Sequence, residues 1–203
     1  MKLLDGGRAP NPRRVRIFLA EKGLTVPLEP VDLAARQHLG EDFARINPMR
    51  RVPVLILDDG TAIAESMAIC RYFEALHPEP ALFGRDAREE ALVEMWNRRM
   101  ELGLLNAVAA VFRHLHPAMA ELEVPQVAEW GEANRPKVLD FLGWLDGELA
   151  GRPFIAGEAF SVADITAFVA LDLCKPAKLA IPEELFHLAR WRGAVAARPS
   201  AAA

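Results

Sequence analysis

Asn11 stands immediately before Pro12, in a stretch from Leu4 to Ala20 that contains no hydroxyl and no thiol. Its carboxamide offers an NH2 group that can donate to an anion and an oxygen that can cap the start of a helix. A helix N-terminus adds positive partial charge at the same spot, and Arg13, Arg14 and Arg16 lie close by in sequence. Asn11 also reads as nothing more than a helix cap, and the arginines as a solvated or interface face. Glu65-Ser66 is a second candidate. A serine hydroxyl beside the unpaired N–H groups of a first helical turn makes an anion site, although serine before a helix is more commonly a plain cap. His38 and Arg51 supply donors suited to a carboxylate, Arg51 through a planar fork; each also reads as an ordinary surface side chain. His114 and His116 are not a metal pair, because helical residues two apart face different directions. Cys70 and Cys174 are too far apart in sequence to suggest a disulfide framework or zinc cluster, and Cys70 fits a small buried hydrophobe.

The elements that must position these residues fall into two groups. Up to about Pro80, extended runs alternate with helical ones. Lys2 to Asp5 reads as a strand, and Asn11-Pro12 opens a helix whose Val15, Phe18 and Leu19 share a face before Gly23 ends it. Val26 to Val31, broken by prolines, is extended and suits a sheet edge. Gly40 to Ile46 is a short helix. Pro53 to Leu57 and Thr61 to Ala64 flank the turn signal Asp58-Asp59-Gly60. Ser66 to His77 is a helix with Ile69, Tyr72, Phe73 and Leu76 on one face, so the order is β-α-β-α-β-β-α. After the proline-containing join His77 to Arg85, nearly everything reads as helix. One long helix spans about Asp86 to His114, with Leu92, Trp96, Met100, Leu104, Val108, Val111 and Leu115 forming an apolar stripe. A second carries Val138, Phe141, Leu142, Leu145 and Leu149; Ser161-Val162-Ala163-Asp164 resembles a capping box opening a third. Shorter helices follow around Glu183 to Ala197.

Composition closes off several classes. The chain has 203 residues, 52% hydrophobic, which is enough for a substantial core, and a net charge of −4, which gives no global field for nucleic acid or anionic lipid. There is no basic stripe with aromatic platforms. The longest strongly apolar uncharged run, Leu102 to Phe112, is well short of the roughly 20 residues of a membrane span. Asp5 interrupts any leader-type apolar segment at the start. Neither nucleic acid nor a membrane is therefore an expected partner.

Several short motifs then occur in a specific order. They are Ala9-Pro10-Asn11-Pro12-Arg13-Arg14-Val15-Arg16, Gln37-His38-Leu39, Phe43-Ala44-Arg45-Ile46-Asn47-Pro48, Arg51-Val52-Pro53-Val54-Leu55 and Ala64-Glu65-Ser66. Pro153-Phe154-Ile155-Ala156-Gly157 and Ser161-Val162-Ala163-Asp164-Ile165 follow in the helical half. Over essentially its whole length the chain resembles the cytosolic glutathione S-transferase family, of theta- or nu-like bacterial type. The resemblance implies an α/β thioredoxin-like N-terminal domain over residues 1–79 that binds glutathione. It also implies a linker at 80–86 and an all-α C-terminal helical domain over 87–203. It places a cis bond at Val52-Pro53, leaving the main-chain groups of Val52 to pair with the cysteinyl backbone of glutathione, as an added strand does. It assigns the γ-glutamyl end to Glu65 and Ser66, and the glycyl carboxylate to His38 and Arg51. Ala9 occupies the position where the theta and plant-type classes carry a serine, so the thiolate would be stabilised by Asn11 instead. Glu101 would be a contact reaching across a dimer; Trp96, Met100, Leu104 and Phe112 are large enough to wall the acceptor pocket, although a stripe at this spacing is more often plain core. The function implied is cytoplasmic detoxification by a homodimer. Its glutathione thiolate would attack an electrophile, or reduce a disulfide or peroxide, without a metal. The alternative is a non-catalytic glutathione-binding or assembly module on the same fold, for which Ala9 would be the mark of a lapsed site.

Overall fold

In the computed structural model, which describes residues 1–203, the chain forms two compact units. The first comprises Met1–Leu82 with Pro199–Ala203, the second Phe83–Arg198.

The first unit is built on a four-stranded sheet of β1 (Lys2–Asp5), β2 (Leu28–Pro30), β3 (Val54–Ile56) and β4 (Ala62–Ala64), in the order β2-β1-β3-β4. β1 runs parallel to β2, and β3 antiparallel to both β1 and β4. Edge strand β2 is shorter than the extended run in the sequence: Pro27 has no N–H to carry the ladder further back, while Pro30 sits within the strand opposite Asp5 and Val31 N–H still donates to the Asp5 carbonyl. Strand alternation separates the two faces. Leu4 and Val54 point toward Phe43 of α2 (Glu41–Ile46), in a cluster completed by Val31 and flanked by Leu33 and Val52. Leu3 and Leu55 point the other way and are fully buried, on the side where α1 (Pro10–Glu21) packs with α3 (Ser66–Leu76). The face of α3 is shifted from the expected one: Met67, Ile69, Cys70 and Phe73 are buried, and Leu76 is exposed. The last five residues, which the sequence groups with the helical half, pack on this unit. Arg13 Nη2 donates to the Ala201 carbonyl at 3.0 Å, and the Ser200 hydroxyl donates to Glu21.

The second unit holds α4 (Ala87–Arg98), α5 (Asn106–Leu115), α6 (Ala128–Leu149), α7 (Val162–Cys174) and α8 (Phe186–Ala196). α4 and α5 form the long helix expected from the apolar stripe, but a π-helical turn, Arg99–Leu105, separates them. Gly103 in that turn is where a side chain could not fit, because a Cβ would lie 2.4 Å from the Phe141 ring of α6. Met100, Leu104, Val108 and Val111 are fully buried, whereas Leu92, at the start of the stripe, is exposed. α7 runs through the centre of this unit and is buried at every residue from Val162 to Leu171. It opens with the capping box seen in the sequence: Ser161 accepts from the Ala163 N–H, and Asp164 accepts from the Ser161 N–H at 2.9 Å. Asp164 also receives the Ile155 N–H and the indole N–H of Trp191. No helix is long and apolar enough to cross a membrane.

Candidate active site

Three candidate segments meet at one end of the sheet because of its register. Leu4 lies opposite Val54, and Val54 opposite Ala64, in antiparallel pairs. The chain leaving β1, the chain entering β3 and the chain leaving β4 therefore emerge side by side. They carry Gly6 to Asn11, Val52-Pro53 and Glu65-Ser66. Gly6 is the point of closest approach. A Cβ there would stand 2.6 Å from Val52 Cγ2, 3.1 Å from Leu33 and 3.3 Å from Pro12, so any side chain would push these segments apart. The sequence reading missed Gly6, because a glycine pair after a strand carries no mark of what it must touch.

At the head of α1 the structure corrects one expectation. Asn11 is not the cap. The helix begins at Pro10, whose ring presets a helical φ, and the cap position falls to Ala9, which has no side-chain bond to give. Pro10 and Pro12 have no N–H, and Arg13 N–H already donates to the Ala9 carbonyl at 3.2 Å. Asn11 is thus the only residue among the first three of α1 that brings a main-chain donor as well as a side-chain one. Its Oδ1 accepts from the buried Arg14 Nη1 at 3.2 Å, which leaves the NH2 edge as the free donor of an exposed side chain. Arg16 is engaged elsewhere, with Asp5 at 2.5 Å, and Asp5 also accepts the Gly7 N–H at 2.8 Å, shaping the turn toward Asn11.

The Val52-Pro53 bond is cis. Val52 precedes the β3 ladder, and no internal hydrogen bond engages its main-chain groups. Glu65 occupies the cap position of α3 at φ +67, a conformation L-residues rarely adopt, and Ser66 is the first helical residue, buried to 5% exposure. Ser66 is therefore not the cap either. Strain held at a residue leading into a helix is a feature of functional turns.

His38 lies in a short 3-10 turn, Gln37–Leu39, set by Asp32 and Gln37: the Asp32 N–H donates to Gln37 Oε1, and Gln37 N–H to the Asp32 carbonyl. The imidazole is 6% exposed, and its buried Nδ1 has no hydrogen-bond partner. Burial, and then the positive charge of Arg51, lower its pKa below the usual 6.5. Arg51 is exposed and near enough for its charge to disfavour the protonated form of His38, so the positive charge at this corner is that of Arg51.

In the helical unit, Trp96, Met100 and Leu104 are buried rather than open as a wall, and Phe112 is half-buried against His116. Glu101 is paired with Arg98 of its own helix at 2.9 Å. His114 and His116 use their Nδ1 atoms to accept main-chain N–H groups, of Val127 and Ala118 respectively. A cavity of about 510 Å³ opens between α7 and α8, but it borders none of the candidate residues, and its Arg192 is already paired with Asp172 at 3.0 Å. Both thiols are buried. Cys70 is fully buried and its pKa is pushed up to about 12, while Cys174 is raised to about 11, in both cases mainly by burial.

A thioredoxin-like sheet with these segments at one end, followed in the chain by a helical unit, defines the class. Residues 9–76 match the family model of the glutathione S-transferase N-terminal domain, and residues 99–199 that of its C-terminal domain. The chain belongs to the glutathione S-transferase family. It is 40% identical to glutathione S-transferase 2 of Saccharomyces cerevisiae, over 98% of this chain and 87% of that protein. It is 32% identical to glutathione S-transferase theta-2 of Homo sapiens, over 91% of this chain and 76% of the relative. Among solved structures, a glutathione S-transferase domain-containing protein of Marinobacter aquaeolei superposes with a TM-score of 0.95 at 44% identity, covering 98% of this chain and 99% of that one. Gtt2 of Saccharomyces cerevisiae gives 0.94 at 40% identity, covering 98% of each chain.

Proposed function

We propose that the protein is a glutathione-dependent transferase whose first unit binds the tripeptide across the end of its sheet. The observation that carries this reading is the convergence at Gly6 and the β1–β3–β4 register of a donor, an open main-chain edge and a helix start. Val52 pairs with the cysteinyl main chain, Ser66 and the first-turn amides of α3 hold the γ-glutamyl carboxylate, and Glu65 accepts from its ammonium. The Arg51 guanidinium, with the His38 imidazole beside it as an uncharged donor, takes the glycyl carboxylate. Asn11 Nδ2 donates to the thiolate. A cysteine-like thiol has a pKa near 8.5, so each unit of lowering requires about 1.4 kcal/mol of preferential stabilisation, within reach of a charge-assisted hydrogen bond worth about 1.5–3 kcal/mol.

The thiolate sulfur then forms a bond to an electrophilic carbon as the leaving group departs with the bonding electrons. Reduction of a disulfide or peroxide through glutathione itself is the second chemistry open to such a site. It fits a protein whose own two thiols are buried and held protonated. A cytoplasmic homodimer is part of the proposal: Leu92, Met95 and Leu102 lie exposed along the long helix and suit its seam. Glu101 is the candidate for reaching across that seam.

The test is a pH titration of bound glutathione followed by ultraviolet difference absorbance. A thiolate forming well below pH 8.5 is the expected result. Binding with an unshifted thiol pKa would favour a binding module instead, and no binding at all would overturn the reading.

A further inference from the structure

We infer that Asn47 is a positioning residue for the glutathione main chain, acting through the peptide unit that joins Arg51 to Val52. This inference rests on the glutathione reading of the site and assigns a role to a residue outside it.

Asn47 follows α2 as its C-terminal cap and is 4% exposed, in a segment otherwise open to solvent from Pro48 to Arg51. Its side chain satisfies both of its functions internally. Oδ1 accepts the Met49 N–H at 3.1 Å, and Nδ2 donates to the Arg51 carbonyl at 2.8 Å. The main chain closes around it as well: Asn47 N–H donates to Phe43 O at 2.8 Å, and Arg50 N–H to Asn47 O at 2.9 Å. Arg50 takes a left-handed φ of +53, which turns the chain back so that the Arg51 carbonyl reaches Nδ2.

A trans peptide is planar, with its C=O and N–H pointing in opposite directions. Fixing the Arg51 carbonyl on the inner side of the loop therefore fixes the Val52 N–H outward, on the edge that no internal bond uses. That N–H is the donor proposed to meet the cysteinyl carbonyl of glutathione. Without the bond from Nδ2, the peptide plane is free to rock, and the ligand must order it on binding. Loose geometry at a hydrogen bond weakens it steeply as its angle departs from linear. Asn47 thus acts on the Val52–ligand bond without touching the ligand.

Asn47→Asp, read with a ligand analogue, separates this role from simple loop stability. The aspartate keeps an oxygen for the Met49 N–H but has no donor for the Arg51 carbonyl, and its charge repels that carbonyl. Glutathione affinity, measured by calorimetry, is expected to fall about tenfold, and the melting temperature by several degrees as well, because a buried carboxylate then faces a carbonyl without its donor. The specific readout uses a glutathione analogue in which the cysteinyl carbonyl is replaced by a methylene. Wild-type protein should lose affinity for the analogue relative to glutathione, and the Asn47→Asp variant should lose much less, because its Val52 N–H is already poorly aimed. Asn47→Gln offers the same amide one methylene further out and serves as a folded comparison with displaced geometry, expected to lie between the two. Equal analogue discrimination in wild type and in Asn47→Asp would overturn the inference. Wild-type protein that fails to bind glutathione would instead overturn the site reading on which it rests.

Discussion

Asn11 carries two hydrogen-bonding duties that a pair of substitutions can pull apart. Its NH2 group is the proposed thiolate donor, and its Oδ1 accepts from the buried Arg14 guanidinium at 3.2 Å. Asn11→Ala removes both. The lost donor to a charged sulfur is worth about 1.5–3 kcal/mol, which at about 1.4 kcal/mol per unit raises the bound thiol's pKa by roughly one to two units. Turnover at neutral pH should then fall about 10- to 100-fold in step with the thiolate fraction, with glutathione KM changed far less. The lost acceptor also costs stability, about 1 kcal/mol for a bond at an exposed residue, or roughly 2–4 °C in melting temperature at this chain length. Asn11→Asp keeps an oxygen for Arg14 and makes that contact a charge pair, so the melting temperature should hold or rise. It offers no donor, however, and sets a negative charge beside the thiolate, so its thiol pKa should rise at least as far as in Asn11→Ala. The assay is the ultraviolet titration of bound glutathione for all three proteins, with thermal unfolding in parallel. An Asn11→Asp protein with the wild-type thiolate pKa and wild-type turnover would refute the assignment, since no structural loss would be available to explain its behaviour.

Two further outcomes follow from buried charge. Lys22 has a fully buried side chain whose Nζ donates to the carbonyls of His77, Pro78 and Pro80 at 2.8, 3.2 and 2.6 Å and pairs with Glu74 at 2.6 Å. Lys22→Met should cost about 3–5 kcal/mol, or roughly 6–20 °C in melting temperature, with part recovered in the double variant with Glu74→Gln. A loss below about 1 kcal/mol in urea unfolding would contradict it. His38 holds its proton more weakly in the folded chain than in the unfolded one, because burial and then Arg51 disfavour the cation. The unfolded state therefore binds more protons as pH drops below about 6.5, and stability is lost on acidification from that point downward. His38→Gln should flatten this part of the profile, read as a smaller drop in urea midpoint between about pH 7.5 and about pH 5. An unchanged drop would show that other groups carry the acid sensitivity.

The order of elements was legible in the chain because each carries its own local signal. Prolines and Asp58-Asp59-Gly60 mark the hairpin, strict apolar spacing marks the helices, and Ser161 with Asp164 marks the start of α7. The motif order also named the family and the segments that would form its site. What local signals could not settle was the phase within each element. Two prolines moved the start of α1 back to Pro10 and took the cap away from Asn11, and Gly103 sits in a π turn where an unbroken helix was expected. The long-range pairings were beyond reach for a different reason. That Gly6 must lie against Val52, that Asn47 holds the Arg51 carbonyl, and that Lys22 gathers three carbonyls with Glu74 are contacts between residues whose identities are unremarkable in sequence. A side chain's type states which bonds it can make. Which partner it meets is decided only when the sheet register and the packing around it exclude water and every other partner.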